Sequence, residues 1–102
     1  METINEILVH LFENKRDRLI FELLSKGKMS FSELKEKIGI EHSPTLARSL
    51  HRLSRYGLVW NRYEKGSERA HSFYEMSPMG SKVMSLYKEF ETALEEQAKK
   101  YR

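Results

Sequence analysis

The sequence predicts a mostly α-helical domain of 102 residues that carries one small β-hairpin. Three observations predict it. Apolar residues recur at three- and four-residue spacing along most of the chain, as in helices with one buried face. Two segments, LVWNRY over 58–63 and AHSFYEM over 70–76, break that rhythm with β-branched and aromatic residues, and the polar EKGSER lies between them. Two prolines and five glycines fall where elements begin or end.

Thr3 and Glu6 have the spacing of a capping box, and Ile4, Ile7, Leu8, Leu11 and Phe12 follow on one helical face, which gives a first helix over 3–13. Asn14 and Asp17 mark a second N-terminus or a break in a longer helix, and Leu19, Ile20, Leu23 and Leu24 supply the next apolar stripe. Lys26 and Gly27 close it, a cation in the last turn with glycine after it. KMSF is short enough for a brief strand. Ser30 or Ser32 then caps a short helix with Leu34 and Ile38, and Gly39 with Ile40 has the pattern of a Schellman stop. Ser43 reads as the cap of the next helix and Pro44 as its first residue, where a missing N–H costs nothing. That helix runs to Tyr56, with Gly57 as its end. The hairpin follows. Ser77 and Pro78 repeat the cap-plus-proline start, and a last helix fills 78–102.

Length and composition bound the rest. The chain is long enough for one domain and too short for two ordinary ones. There is no cysteine, which removes disulfides, thiolate zinc sites and cysteine nucleophiles and fits an intracellular, cytoplasmic setting. No apolar run approaches the roughly 20 residues of a membrane helix, and the acidic, amphipathic start METINEILVH is unlike a secretory signal. Charged residues make up 32%, glutamate far outnumbers aspartate and there is a single glutamine, a thermophile-like balance. His10, His42, His51 and His71 are scattered, with no spacing that closes a metal site, and no cofactor is expected. Asp17 is the sole aspartate and no Ser/His/Asp set or glycine-rich phosphate loop exists, so an enzyme is not expected.

The formal net charge of +3 is unevenly placed. Residues 1–41 hold seven Lys/Arg and eight Asp/Glu, net −1; residues 42–69 hold six and two, net +4; residues 70–102 hold five of each. The excess sits in one segment, the electrostatic footprint of a nucleic-acid surface. Within it, SPTLARSLHRLSRYGLV carries leucines at 46, 50 and 53 and arginines at 48, 52 and 55. The two sets share one spacing, two residues out of phase. On a helix that offset is about 200°, so the leucines face a core and the arginines the opposite side. A short helix, a four-residue IEHS turn and this helix make a helix-turn-helix, and the hairpin directly after it is a wing.

FSELKEKIGI, SPTLARSLHRLSRYGLV and FYEMSPMG together resemble the winged helix-turn-helix of small bacterial and archaeal transcription regulators, the MarR, PadR, ArsR and HxlR-like group. The matching positions are Ser30, Glu33 and Leu34; Leu50 and Leu53; Gly57, Leu58 and Val59; and Tyr74, Met76, Ser77 and Gly80. The resemblance covers about residues 15–82. The chain lacks the cysteine of the HxlR type and the cysteine and histidine ligand pattern of metal-sensing ArsR proteins. The expected organisation is one domain over 1–102, with an N-terminal helix at 3–13, a winged core at 15–77 and a C-terminal dimerisation helix at 78–102. The resemblance implies double-stranded DNA as partner, bound by a homodimer without catalysis, in the manner of a repressor.

The candidate recognition helix is 43–56, whose N-terminal half would reach base edges in the major groove. With Leu46 at 0°, Arg55 lies at about 180°, Arg48 at about 200°, Arg52 at about 240°, Thr45 at about 260° and Ser49 at about 300°. Ser43, Thr45, Arg48, Ser49 and Arg52 are expected to face DNA, with Arg55 nearer the backbone, and replacing Arg48 or Arg52 is expected to leave the fold intact. At the wing, Arg62, Lys65 and Arg69 are expected on phosphates or in the minor groove, set against salt bridges with Glu64 and Glu68. Trp60, Tyr63 and Phe73 read as packed against the helices rather than as a stacking platform for single strands.

The last helix spans about 37 Å, longer than the roughly 30–35 Å globule of such a chain. Met79, Val83, Leu86, Phe90, Leu94, Ala98 and Tyr101 line one face of it. A second copy would cover what one domain cannot. The expected interface is Ile4, Leu8, Leu11, Val83, Leu86, Phe90, Leu94 and Tyr101. Two alternatives stand beside the regulator: a winged-helix protein-interaction module, which would want apolar anchors around Arg48 and Arg52, and a ligand-responsive MarR-type sensor whose effector is unknown.

Overall fold

A computed structural model describes residues 3–65 and 70–100. Five helices and a two-stranded antiparallel sheet follow one another as α1 (Ile4–Glu13), α2 (Lys15–Leu24), α3 (Phe31–Ile38), α4 (Ser43–Arg55), β1 (Val59–Lys65), β2 (Ala70–Met76) and α5 (Pro78–Lys100). The predicted fold class is the observed one.

Local chemistry sets the boundaries. Thr3 accepts the Glu6 amide at the start of α1. Asn14 both ends that helix and begins α2: its own N–H reaches the His10 carbonyl at 2.8 Å, and its side chain accepts the Asp17 amide at 3.0 Å. Of the two candidate serines Ser30 caps α3, in a reciprocal box with Glu33. The cap of α4 is His42 rather than Ser43, which with Pro44 enters the first turn. Gly57 takes φ +78, a left-handed stop that a side chain would strain, and Leu58 N–H then closes onto the Leu53 carbonyl.

The hairpin pairs Val59 with Met76 through to Lys65 with Ala70. KMSF contributes a single bridge, Met29 to Tyr74, with hydrogen bonds of 2.9 and 2.7 Å. This ties the loop after α2 to the inner strand of the wing. Ser77 holds the turn into α5, its hydroxyl donating to the Gly57 carbonyl at 2.6 Å and accepting the Gly80 amide at 2.8 Å. A β-carbon on Gly80 would stand 2.2 Å from the Leu58 carbonyl oxygen, so only glycine lets α5 approach the backbone that enters the wing.

One core runs through the helix-turn-helix. Leu11, Ile20, Phe21, Leu24, Leu34, Leu46, Leu50, Leu53, Leu58, Val59 and Val83 are all buried. Two of the residues assigned to a dimer interface, Leu11 and Val83, therefore belong to this chain's own core. Each stands on the inner stripe of its helix, where the fold already covers it. Leu8 packs partly against the same core. Ile4, Leu86, Phe90 and Leu94 remain exposed, and Tyr101 lies outside the described residues. The shape explains the contrast. The extents are 58 × 28 × 22 Å, and α5 buries Gly80, Val83, Met84 and Tyr87 before it leaves the globule.

Candidate nucleic-acid interface

The three leucines of α4 bury its inner stripe completely. The opposite side presents Pro44, Ala47, Arg48, His51, Ser54 and Arg55 to solvent, with Ser43 and Thr45 half-buried at the flank. Arg48 and Arg55 form no ion pair or side-chain hydrogen bond among the described residues, so their donors are available to an external acceptor. His51 stands one turn from each of them on the same face. Composition and spacing had marked it only as a scattered histidine; its angle of about 140° from Leu46 is the signal that places it here.

Two expected DNA contacts are turned inward. Ser49 is fully buried. Arg52 reaches back to Asp17 of α2, donating from Nε to Oδ2 at 2.9 Å and from Nη2 to Oδ1 at 3.0 Å. Nη2 also donates to the Ser49 hydroxyl at 3.3 Å. Asp17 is itself fully buried, and His10 of α1 donates from Nε2 to the same Oδ2 at 2.7 Å. Burial alone would push the Asp17 carboxyl up, but the hydrogen bonds from Arg52, His10 and Ser49 outweigh it and hold the carboxyl below its ordinary value. The same bond to Asp17 lifts Arg52 above the usual guanidinium value. An arginine at about 240° lies on the flank, not the outer face, and a buried carboxylate within reach takes its fork before solvent does.

The wing is also more engaged than its sequence suggests. Arg62 pairs with Glu75 at 2.6 Å and lies over the Trp60 ring, 4.6 Å from its centre. Lys28 joins Glu64 at 2.7 Å and covers Phe73. Arg62 is thus salt-bridged across the hairpin, but to Glu75 and not to the expected Glu64; Glu68 lies outside the described residues. Trp60 and Tyr63 do not pack against the helices as expected: they are exposed, at 41% and 72%. Nor do they share a face, since strand residues alternate and Tyr63 points opposite to Trp60. The Lys65 side chain and Arg69 lie outside the described residues.

Among the described residues no helix is long and apolar enough to cross a membrane, and no three acidic or histidine side chains are grouped to hold a metal.

The pattern of the HxlR-like helix-turn-helix family matches residues 11–101, nearly all of the elements just described. The chain belongs to the HxlR-like helix-turn-helix family. It is also 32% identical over 83 residues to the uncharacterized protein MJ0944 of Methanocaldococcus jannaschii, a stretch covering 79% of this chain and 68% of that protein. Among solved structures it is similar to the reduced form of the transcriptional regulator YodB from B. subtilis, with a TM-score of 0.77 at 21% identity, covering 90% of this chain and 89% of the other. A PadR family transcription regulator from Clostridium difficile R20291 gives a TM-score of 0.70 at 16% identity, over 86% and 98% of the two chains. Those two likenesses establish the winged-helix architecture. The family's pattern in this HxlR-like protein takes in Asp17, Ser49 and Arg52 as well as the exposed arginines.

Proposed function

We propose that this HxlR-like protein is a transcription regulator that binds double-stranded DNA sequence-specifically as a homodimer. Helix α4 enters the major groove, with Arg48 reaching base edges, Ser43 and Thr45 at the groove wall, and Arg55 and His51 towards the backbone. The wing lies along phosphates or the minor groove, where Lys65 and Arg69 supply charge and Arg62 contributes from its pair with Glu75. One observation carries the proposal: the solvent face of α4 holds two arginines with no partner among the described residues, directly opposite a fully buried leucine stripe. Pro44 and Ala47 are the apolar residues on that face, too small to anchor a protein partner. The exposed Leu86, Phe90 and Leu94 on α5, with Ile4 on α1, favour a second copy as the cover of the projecting helix.

The test is selection of bound duplexes from a random pool. The expected product is an inverted repeat with half-sites about one helical turn, roughly 34 Å, apart. A pool that returns no enriched sequence, or a single unrepeated half-site, overturns the proposal.

A further inference from the structure

Recognition needs α4 held at one rotation about its own axis. A turn of about 10° moves a point 6 Å from the axis by about 1 Å. That is more than the roughly 0.5 Å range over which a hydrogen bond stays well formed. The buried leucine stripe holds α4 against the core by close packing, without directional bonds. A directional contact on its flank narrows the angle further.

The Asp17 carboxylate is directional and central. Arg52 holds both of its oxygens in a two-pronged fork. His10 takes a second bond to Oδ2, so one oxygen answers to α1 and α4 together. The carboxylate is itself anchored, because the Asp17 amide is fixed by the Asn14 side chain at the α1–α2 break. His10 also meets the end of α4 directly, its ring edge-on to the cap residue Tyr56 at 5.2 Å between centres. A buried ion cluster is not needed for stability, since well-packed apolar residues in its place are often as stable or more so. What it supplies is a single allowed geometry.

We propose that Asp17 is a positioning residue for DNA binding, the joint at which α1, through His10, and α4, through Arg52, are locked at one mutual angle. The inference rests on α4 being the DNA-contacting helix. It assigns Arg52 to orienting Arg48 rather than to reading a base, and it gives α1 a hold on the DNA-contacting face through His10.

The test uses His10→Ala and His10→Gln in the full chain. Alanine removes the α1 arm and leaves Asp17 paired with Arg52. Glutamine keeps an N–H donor of similar reach. The ratio of affinities for the selected site and a scrambled duplex is measured, with sedimentation in parallel. The joint requires that His10→Ala lower this ratio about tenfold, a 1.4 kcal/mol change, with the oligomeric state unchanged, and that His10→Gln restore it. An unchanged ratio in His10→Ala overturns the inference, and so does a loss that appears only because the dimer dissociates. If His10→Ala does not fold, His10→Asn replaces it: a lower ratio for the shorter Asn than for Gln supports the joint, and equal ratios overturn it. If the unaltered chain shows no preference among duplexes, the DNA assignment of α4 has failed, and the joint is read by nuclear magnetic resonance instead. Displaced α4 amide signals and a shifted Arg52 Nε–H in His10→Ala, or in His10→Asn where that variant stands in, then support it; undisturbed signals overturn it.

Discussion

Replacing Arg52 with alanine separates structural arginines from DNA-contacting ones. In the folded chain Arg52 gives two hydrogen bonds to a carboxylate that is 0% exposed. Removing one partner of a buried ion pair costs about 3–5 kcal/mol, because the remaining charge stays buried without it. His10 and Ser49 still donate to Asp17, and the Arg52 side chain is itself 34% exposed, which places the expected loss at the lower end, about 3 kcal/mol. For a domain of this size each kcal/mol moves the melting midpoint by about 4–8 °C, so the midpoint should fall by roughly 12–24 °C. Melts followed by circular dichroism at one fixed protein concentration read this directly, since a dimer's midpoint depends on concentration. A companion variant sharpens it. Replacing Asp17 and Arg52 together with leucine and methionine removes both charges, and its cost should be smaller than the sum of the single losses by about 2 kcal/mol. An Arg52→Ala melt within about 0.5 kcal/mol of the parent, the usual range for surface changes, would refute the reasoning and return Arg52 to the outer face.

Arg48→Ala should behave in the opposite way: an unchanged melt, with specific DNA affinity reduced by about 1–3 kcal/mol in a titration if the guanidinium grips a guanine. Phe90→Glu, at a position 51% exposed, should keep its helicity yet sediment as a monomer and bind the full site no better than a half-site; a persistent dimer would place the interface elsewhere. Acid should reach the buried cluster as well. The Asp17 carboxyl titrates below its unfolded value of about 3.9, so its stabilisation is fully present above that pH and lost as pH falls towards the folded value. The urea midpoint of the parent should therefore exceed that of Asp17→Asn clearly at pH 7 and by less at pH 3, whereas a constant gap would show that Asp17 is not held as the anion.

The elements were legible because each is announced by residues acting over three or four positions: Ser30 with Glu33, Asn14 with Asp17, Gly57 with the leucines before it. The helix-turn-helix and wing follow from their order. Helical angle also sorted the extremes of α4 correctly, Leu46 inside and Arg48 outside. It fails between them. Ser49, about 60° from the leucine stripe, and Arg52, about 120° from it, sit where the neighbouring helix decides burial, and no periodicity within α4 reports that α2 brings a carboxylate to that flank. Asp17 is the chain's sole aspartate and stands among Lys15, Arg16 and Arg18, but an acid in a helix's first turn is already favoured by the helix N-terminus, so its pairing with α4 is read only from the structure. The same limit governs α5. Its apolar stripe is continuous in sequence, but the globule ends part-way along it, so Val83 became core while Leu86, Phe90 and Leu94 did not. Side chains of one pattern thus divide between an inner task and an outer one according to what packs beside them. In α4 that division leaves Arg52 to hold the helix and Arg48 to meet whatever lies in front of it.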